Sequence, residues 1–422
     1  MSNQLPSSYK FPPSKITAKP RVLFVLGVLW GENGITSHLL TLSKALIQHG
    51  WDVGLVTSLA SGVEGAAEEA AGAIEKFQTC GIQCFSISFP ALRLVFGSIV
   101  STFSTLRSLN SVILQFQPDV LHVHSLSVAP YVQVMQLLHH FPYVSTCHLE
   151  PNPSRLSTKL NSFIKQRLSK IFGDRVIAVS SELEQFFQNT MKVPESNIRL
   201  IYHGLNDKYF YPPLLENRLK ARENFGLKDS DHVICLIGRL SPVKGHNLLI
   251  RALAILKSED IQPITLFAGK GYGQEEHDIR QAAEQAGVIG SIRFLGFTDT
   301  RSVLWASDII GLPGQAKSEA FGLVIAEAML CGIVPLRTPA AGAFDQIEDG
   351  VNGFIVPFDD AETLALRLKQ LLENPALRSR MSQAALKVAQ EKFTVEQMTQ
   401  KTIELYQEVI QERKSAKSFK SF

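Results

Sequence analysis

The chain has 422 residues, 45% of them hydrophobic and 19% charged, and its 42 basic and 39 acidic side chains give a net charge of +3. This length exceeds one ordinary core and predicts two domains of about 200 residues each. The small net charge gives no basic field for nucleic acid. No apolar run reaches the ~18–20 residues that span a bilayer.

The start of the chain and the cysteines bear on where the protein resides. Residues 1–20 contain four prolines and no apolar stretch typical of a signal peptide, so we predict a disordered arm. Cys80 and Cys84 are close enough in sequence to pair. However, an odd total of five cysteines without a CxxC pair favours reduced thiols and a cytoplasmic protein.

Apolar runs of strand length alternate with helical stretches from the end of the arm onward. The pattern predicts a strand at 21–30, a helix at 35–49 that ends at Gly50, and a strand at 51–58. Further strands are predicted at 119–124, 143–147 and 176–180. This alternation indicates a parallel sheet covered by helices.

The alternation restarts after a turn-rich and charged segment. Strands are predicted at 233–237, 264–268, 292–295, 309–312, 334–337 and 353–356. The fold class is therefore α/β, with two doubly wound Rossmann-like domains, 21–212 and 213–392, facing each other across a cleft. The last segment, 393–422, is predicted as a helix at 395–411 that packs back on the first domain. A solvated, frayed basic tail is predicted to follow it.

Two carboxylates, Glu319 and Glu327, lie eight positions apart in the otherwise largely apolar segment SEAFGLVIAEAML. Buried carboxylates need partners, so we expect both to face hydrogen-bond donors such as sugar hydroxyls. A solvated pair on an amphipathic helix is the alternative, which the apolar neighbours disfavour. Phe321, Gly322 and Leu323 open the helix that carries Glu327, and their amides predict an anion site.

The motif GRLSPVKG lies between a predicted strand and a predicted helix at 246–256. Gly238 at the strand end allows a ligand to approach the backbone closely, and the helix start offers unpaired amides. Arg239 and Lys244 add a planar fork and a point charge, which suits a diphosphate. Two surface cations beside a loop are the alternative, which the position at the strand end disfavours.

Taken together, GRLSPVKG, FAGKGYG, FLGFTD, SEAFGLVIAEAMLCG and EDGVNGFIVP resemble the motifs of the retaining glycosyltransferases of family 4 (glycosyl transferases group 1), which have the GT-B fold. The resemblance implies transfer of a sugar from a nucleoside diphosphate to an acceptor hydroxyl, without metal or cofactor. It implies that Glu319 contacts the transferred sugar, Glu327 the ribose and the backbone at Phe297 the nucleobase. We expect a UDP-sugar rather than a GDP-sugar; the acceptor, a glycan, glycolipid or small molecule, stays open.

The N-terminal half resembles the family less closely. The turn at 31–34 retains Gly34, but Asn33 replaces the first glycine of a family pair that faces the donor phosphate. Because Asn tolerates positive φ, we expect the turn to survive. His148 matches a family histidine on the acceptor side, which makes it a candidate catalytic residue, whereas the accompanying acid is displaced to Glu150. A structural histidine at a strand end is the alternative.

Two sequence patterns are typical of metal ligands, but packing and turn chemistry account for them better. His122 and His124 lie on one strand face, but no third ligand is evident nearby, so packing or an acceptor contact is preferred. Asp229 and Asp231 form a DxD that precedes a strand, so turn chemistry is preferred. The segment HGLN at 203–206 departs from the family's Asn-Gly-Val-Asp and is expected to affect hinge contacts.

Several alternatives stay open. Basic residues interleave with apolar ones at helical spacing around 154–171, at Arg155, Lys159, Lys165, Arg167 and Lys170. This pattern fits either peripheral binding at the inner face of the membrane or an ordinary helix with a cationic solvent face. At the level of function, a nucleotide-sugar epimerase and a non-catalytic relative that binds sugar nucleotide are the competing hypotheses.

Overall fold

The structure is a computed structural model that describes residues 19–31, 33–60, 66–90, 96–148, 169–271, 273–316 and 319–420. The strands of the first half are β1 (Arg21–Leu29), β2 (Asp52–Leu59), β3 (Gln83–Ser86), β4 (Val120–Val123), β5 (Tyr143–Cys147), β6 (Arg175–Ala178) and β7 (Ile198–Leu200). Its helices are α1 (Gly34–Gln48), α2 (Ala66–Thr79), α3 (Phe96–Phe116), α4 (Ala129–His139) and α5 (Ser181–Gln185).

The second half has its own set of elements. Its strands are β8 (Val233–Ile237), β9 (Ile264–Ala268), β10 (Ile292–Gly296), β11 (Ile309–Leu312), β12 (Val334–Arg337) and β13 (Phe354–Ile355). Its helices are α6 (Leu215–Asn224), α7 (His246–Ser258), α8 (Glu275–Gln285), α9 (Thr300–Ala306), α10 (Leu323–Leu330), α11 (Ala343–Gln346), α12 (Ala361–Glu373), α13 (Pro375–Lys392) and α14 (Val395–Lys420).

The strands form two parallel sheets. The first has seven strands in the order β3-β2-β1-β4-β5-β6-β7, and the second has six in the order β10-β9-β8-β11-β12-β13. In both sheets the chain starts near the middle and winds outward in two directions, so the predicted α/β class with two doubly wound domains is confirmed. The edge strands β3 and β7 were not predicted, because most of their residues are exposed or half-buried and form no continuous apolar run.

Alternate residues of the central strand β1 explain why helices cover both faces of the first sheet. Val22 and Phe24 pack in a cluster with residues of α1 and α14, whereas Leu23 and Val25 pack with residues of α3 and α4. All four side chains are fully buried. A strand buried on both faces is the expected consequence of a continuous apolar run in a parallel sheet.

Helix α14 returns from the second half of the chain to the first sheet. Tyr406 is fully buried, and its hydroxyl lies 2.5 Å from His122 Nδ1. Arg175 at the start of β6 donates to Glu408 and Glu412 of this helix, at 2.6 Å each. The expectation of a frayed tail is wrong, since the helix continues to Lys420.

Three smaller expectations concern the described residues. Cys80 and Cys84 are both free thiols. Asp231 accepts a hydrogen bond from the Lys228 amide at 2.7 Å, which agrees with turn chemistry for the DxD. Among the described helices, none combines the length and the apolar character needed to cross a membrane. The N-terminal arm through residue 18 and most of the basic segment, 154–168, lie outside the described residues.

Candidate functional site

The two domains approach each other where the carboxyl ends of their strands meet. A Cβ added to Gly34, at the start of α1, would lie 3.2 Å from Leu323 Cδ1, at the start of α10. Beside this contact, Asp345 accepts hydrogen bonds from the Ser181 amide at 2.8 Å and the Tyr202 hydroxyl at 2.9 Å. The candidate site therefore lies between two helix starts that belong to different domains.

The loop after β8 is shaped by two glycines. Gly238 has a φ of +151°, and its amide donates to the Ala268 carbonyl at 2.9 Å. Gly245 has a φ of +86°, and a Cβ there would lie only 2.0 Å from the Pro313 carbonyl oxygen. No other residue fits at Gly245 without displacing backbone, because both the conformation and the space exclude a side chain.

Lys244, in the 3-10 turn of this loop, forms an ion pair with Glu319. The two side chains are 19% and 14% exposed. The side chain of Arg239 is exposed and forms no hydrogen bond or ion pair with any described residue. The structure thus joins two of the predicted site residues, Lys244 and Glu319, directly and leaves a third, the cation Arg239, open to solvent.

The start of α10 keeps open amides. Gly322 caps the helix with a φ of +80° and offers no side-chain acceptor. The Ile325 amide donates to the Gly322 carbonyl at 3.0 Å, whereas the amides of Leu323 and Val324 donate to no described residue. Such unpaired N–H groups, with the positive end of the helix dipole, form an anion site.

The start of α1 is different, and the expected left-handed turn at Asn33 is wrong. Asn33 has a φ of −151°, and its Oδ1 accepts hydrogen bonds from the amides of Ile35 at 2.9 Å and Thr36 at 3.1 Å. The positive φ lies at Gly31 instead, at +98°. Because Asn33 occupies these amides, the first helix start is capped where the second is open.

Arg337 and Gln346 hold the turn at Gly322 in place through hydrogen bonds, and neither residue was predicted from the sequence to belong to the site. The fully buried Arg337 donates to the Phe321 carbonyl at 2.9 Å and to Gln346 Oε1 at 2.5 Å. Gln346 donates in turn to the Gly322 carbonyl at 3.2 Å. Burial lowers the pKa of Arg337 to about 10, opposed by the charge of Glu319. The available signal was an arginine ending an apolar strand, a residue type rarely fully buried without partners.

Glu327 lies one turn into α10, half-buried, and its carboxylate has no hydrogen-bond partner among the described residues. Burial raises the pKa of Glu327 to about 7, and the nearby charge of Asp299 adds to the shift. Asp299 accepts a hydrogen bond from the Tyr209 hydroxyl at 2.5 Å. Phe297, two residues before Asp299, is 67% exposed on the loop after β10. An unsatisfied carboxylate beside this loop is available to donors on a ligand.

Five histidines pack together on the first domain beside Phe321, and we call them the imidazole cluster: His38, His122, His124, His148 and His203. Neighbouring rings have centroids 4.0–5.6 Å apart. His124 directly follows β4, and His148 directly follows β5. Further histidines do lie near His124, because ring nitrogens of His38, His124 and His148 all lie within 4.8 Å of one another, but His122 is not a member of this group.

Hydrogen bonds within the cluster join imidazole to imidazole. His124 Nδ1 lies 3.0 Å from His148 Nε2, and His38 Nδ1 lies 2.9 Å from His203 Nδ1. Burial lowers the pKa of His122 to about 3 and that of His203 to about 4. Burial and neighbouring histidines also hold the pKa values of His38, His124 and His148 well below the usual range. The rings are therefore neutral at physiological pH.

Two family sequence models match the chain, one for each half. The model described as "Glycosyltransferase Family 4" matches residues 32–209, and the one described as "Glycosyl transferases group 1" matches residues 217–388. The chain belongs to glycosyltransferase family 4. The expected family and its GT-B fold are thus confirmed for this glycosyltransferase.

Comparison with curated proteins and solved structures agrees. An uncharacterized glycosyltransferase of Methanocaldococcus jannaschii is 28% identical over 57% of this glycosyltransferase, and the match covers 61% of that relative's length. A glycosyltransferase structure from Rickettsia africae has a TM-score of 0.80 at 20% identity, with 93% and 99% of the two chains covered. Anabaena HepE, solved in complex with UDP-glucose, has a TM-score of 0.74 at 21% identity, with 92% and 99% covered.

The described part of this glycosyltransferase brings most of the predicted site residues to one cleft. Lys244 contacts Glu319, and Gly34 approaches Leu323 across the domains. Glu32 and Glu150, which flank two of the predicted motifs, lie outside the described residues. The ligand contacts predicted for Arg239, Phe297, Glu327 and His148 stay predictions.

Proposed function

We propose that this glycosyltransferase moves a sugar from a UDP-sugar to an acceptor hydroxyl, with retention of the anomeric configuration. The observation that carries the proposal is the Lys244–Glu319 ion pair beside the open helix start at Gly322. A cation after β8, together with a carboxylate and unpaired amides after the neighbouring β11, matches the diphosphate and hydroxyls of a nucleotide sugar. The complex of HepE with UDP-glucose supports UDP as the nucleotide.

Each donor-side residue has a proposed role. Arg239, Lys244 and the amides at Phe321–Leu323 hold the diphosphate, and Gly238 leaves room for it to approach the backbone. Glu319 orients the transferred sugar. Glu327 accepts hydrogen bonds from the ribose hydroxyls, because its carboxylate has no other described partner, and the loop at Phe297 contacts the uracil.

The chemistry follows from the position of these groups. The bond between the anomeric carbon and the diphosphate oxygen breaks, and the acceptor oxygen bonds to the same face of that carbon. The acceptor proton passes to the leaving phosphate oxygen. Negative charge grows on the diphosphate during this step, so Lys244, Arg239 and the amides of α10 stabilise the transition state more than the ground state. In this proposal, the two cations and the amides of α10 balance the charge on the diphosphate, which in turn requires no divalent ion.

His148 occupies the other wall of the cleft, and we propose that it contacts the acceptor. Its ring stacks on His203 at a centroid distance of 5.4 Å, and His203 packs against Phe321 at 5.6 Å. The acceptor side is thus linked to the start of the donor helix through two rings. Gly34, at the start of α1, lets the two helix starts approach each other closely, since an added Cβ would lie only 3.2 Å from Leu323 Cδ1.

The epimerase hypothesis is disfavoured by the same geometry. An epimerase needs an acid and a base around a sugar carbon. The carboxylate nearest the proposed sugar position, Glu319, is instead paired with Lys244.

A thermal-shift panel with UDP, GDP and their glucose and N-acetylglucosamine derivatives tests the proposal. A ligand at 100 times its Kd stabilises the folded protein by about 2.7 kcal/mol, which gives a readable shift in Tm. We expect UDP and at least one UDP-sugar to raise the Tm and GDP-sugars to leave it unchanged. Lys244→Ala should give a clearly smaller shift at the same ligand concentration. A panel in which no nucleotide shifts the Tm contradicts the proposal.

A further inference from the structure

Three histidines from distant parts of the chain converge on the first domain. His38 comes from α1, and His124 and His148 each follow the end of a neighbouring strand. Each offers a ring nitrogen, and these atoms lie within 4.8 Å of one another. We propose that His38, His124 and His148 bind a divalent late first-row transition metal, with Zn²⁺ as the representative ion.

Hydrogen bonding within the imidazole cluster separates these histidines from His122. Both ring nitrogens of His122 have partners, the Tyr406 hydroxyl at 2.5 Å and the Thr146 hydroxyl at 2.7 Å. By contrast, Nε2 of His38 is buried without any hydrogen-bond partner in the described structure, and among the described residues His124 Nδ1 and His148 Nε2 are paired only with each other. Buried polar atoms are rarely left unpaired, so each such nitrogen needs an explanation.

The spacing of the nitrogens is close to that around a zinc ion. With Zn–N bonds of about 2.0–2.1 Å and tetrahedral angles, two ligand nitrogens lie about 3.3 Å apart. His124 Nδ1 and His148 Nε2 are 3.0 Å apart, so a few tenths of an ångström of separation admits the ion. His38 offers a ring nitrogen within 4.8 Å of those of His124 and His148, and its Nδ1 lies 2.9 Å from His203 Nδ1. A second-sphere partner of this kind orients a ligating histidine.

The donor set also defines the kind of ion and its place in the reaction site. Imidazole nitrogens suit Zn²⁺, Cu²⁺, Fe²⁺ and Ni²⁺ and are poor ligands for Mg²⁺ or Ca²⁺. Three protein ligands leave a fourth position open, as in catalytic zinc sites. His148 also packs on His203, which contacts Phe321 at the start of α10, so the three histidines lie beside the cleft. There the ion would take an oxygen ligand on the acceptor side, away from the donor diphosphate.

The test measures metal binding to the full chain without an affinity tag and without donor or acceptor. The protein is treated with EDTA, dialysed, and titrated with Zn²⁺ by calorimetry and with Co²⁺ by visible absorption. We expect one ion per chain and the strong Co²⁺ absorption of a four-coordinate site. His124→Gln and His148→Gln should each weaken Zn²⁺ binding by more than about 100-fold, because even loss of a second-sphere partner costs 10–100-fold.

His246→Gln is the matched control, because His246 is buried in the second domain and neither of its ring nitrogens has a hydrogen-bond partner among the described residues. It should bind Zn²⁺ like the unchanged protein. A thermal melt of each variant establishes whether it folds. If His124→Gln does not fold, the affinity of His148→Gln for Zn²⁺ decides the test. Fewer than about 0.1 ions per unchanged chain, or equal affinity in a folded His148→Gln, overturns the proposal.

Discussion

Lys244 and Glu319 neutralise each other in the cleft, so a diphosphate that binds Lys244 must compete with the carboxylate of Glu319. The two residues should therefore respond oppositely to substitution. We expect Lys244→Ala to weaken UDP binding about 10–100-fold, the cost of a hydrogen bond to a charged group. We expect Glu319→Gln to bind UDP at least as tightly as the unchanged protein but to lose transfer by about 100-fold or more.

Calorimetry with UDP and a turnover assay separate these two effects. Arg251→Ala is the control, because Arg251 forms a comparable but exposed pair with Asp359 on the outer surface, at 2.7 Å. It should leave both UDP affinity and turnover unchanged. Weaker UDP binding in Glu319→Gln would mean that this carboxylate supports the nucleotide rather than the sugar.

The raised pKa of Glu327 predicts a pH dependence of donor binding. Burial, followed by the charge of Asp299, raises this pKa to about 7, so the carboxyl is mostly protonated at pH 6 and mostly ionised at pH 8. Only the ionised form accepts hydrogen bonds from both ribose hydroxyls. We expect the affinity for UDP-glucose to rise about 5–10-fold between pH 6 and pH 8.

UDP-glucose is used for this titration because the terminal phosphate of UDP itself titrates near pH 6. Glu327→Gln removes the titrating group and should give a flat profile over the same interval. The raised pKa of Glu327 also lowers stability at high pH. Because the folded state binds this proton more tightly than the unfolded state does, the contribution of Glu327 to the free energy of unfolding declines as the pH rises from about 4.5 to 7. A profile that stays steep in Glu327→Gln would assign the titration to another group.

Gly322 should tolerate no side chain. Its φ of +80° is strained for alanine, and a Cβ would lie 2.8 Å from Arg337 Nη1. Gly350 is the matched control, since it has a φ of +78° but nothing within 4 Å of an added Cβ. We expect Gly350→Ala to cost about 1 kcal/mol from backbone strain and Gly322→Ala to cost clearly more. Chemical denaturation measures both, and UDP binding should be lost only in Gly322→Ala.

How much the sequence predicted depends on how local each feature is. β5, β8, β9, β11 and β12 were predicted to the residue, because long apolar runs in a parallel sheet carry their own signal. The glycine and cation motifs were also readable, since they lie within a few positions of a strand end. The ion pair of Lys244 and Glu319 was not, because 75 residues separate them and only the adjacency of β8 and β11 unites them.

The imidazole cluster is the clearest case of a feature that no local pattern contains. Its members lie at positions 38, 122, 124, 148 and 203, and they meet because β4 and β5 are neighbours and His38 of α1 packs against His124. Asn33 is a local feature that was recognised in the sequence but given the wrong role. Sequence reasoning assigned it a backbone role, whereas its side chain caps α1.

The cap at Asn33 predicts a local change in stability. Asn33→Ala should destabilise the first turn of α1 by about 1 kcal/mol, because the amides of Ile35 and Thr36 lose their acceptor. Asn33→Gly should cost only a few tenths of a kcal/mol, since glycine is an acceptable cap. Hydrogen exchange of residues 34–38 measures the difference, and equal exchange in the two variants would argue against the cap.

The most direct test of the account is an NMR time course of UDP-glucose with the protein and no acceptor, in which water takes the acceptor's place. A retaining transferase releases UDP and α-glucose first, and β-glucose appears only as the free sugar equilibrates. We predict that order for the unchanged protein and no release for Lys244→Ala. Direct formation of β-glucose, or conversion of the donor to an epimeric UDP-sugar, would contradict the account.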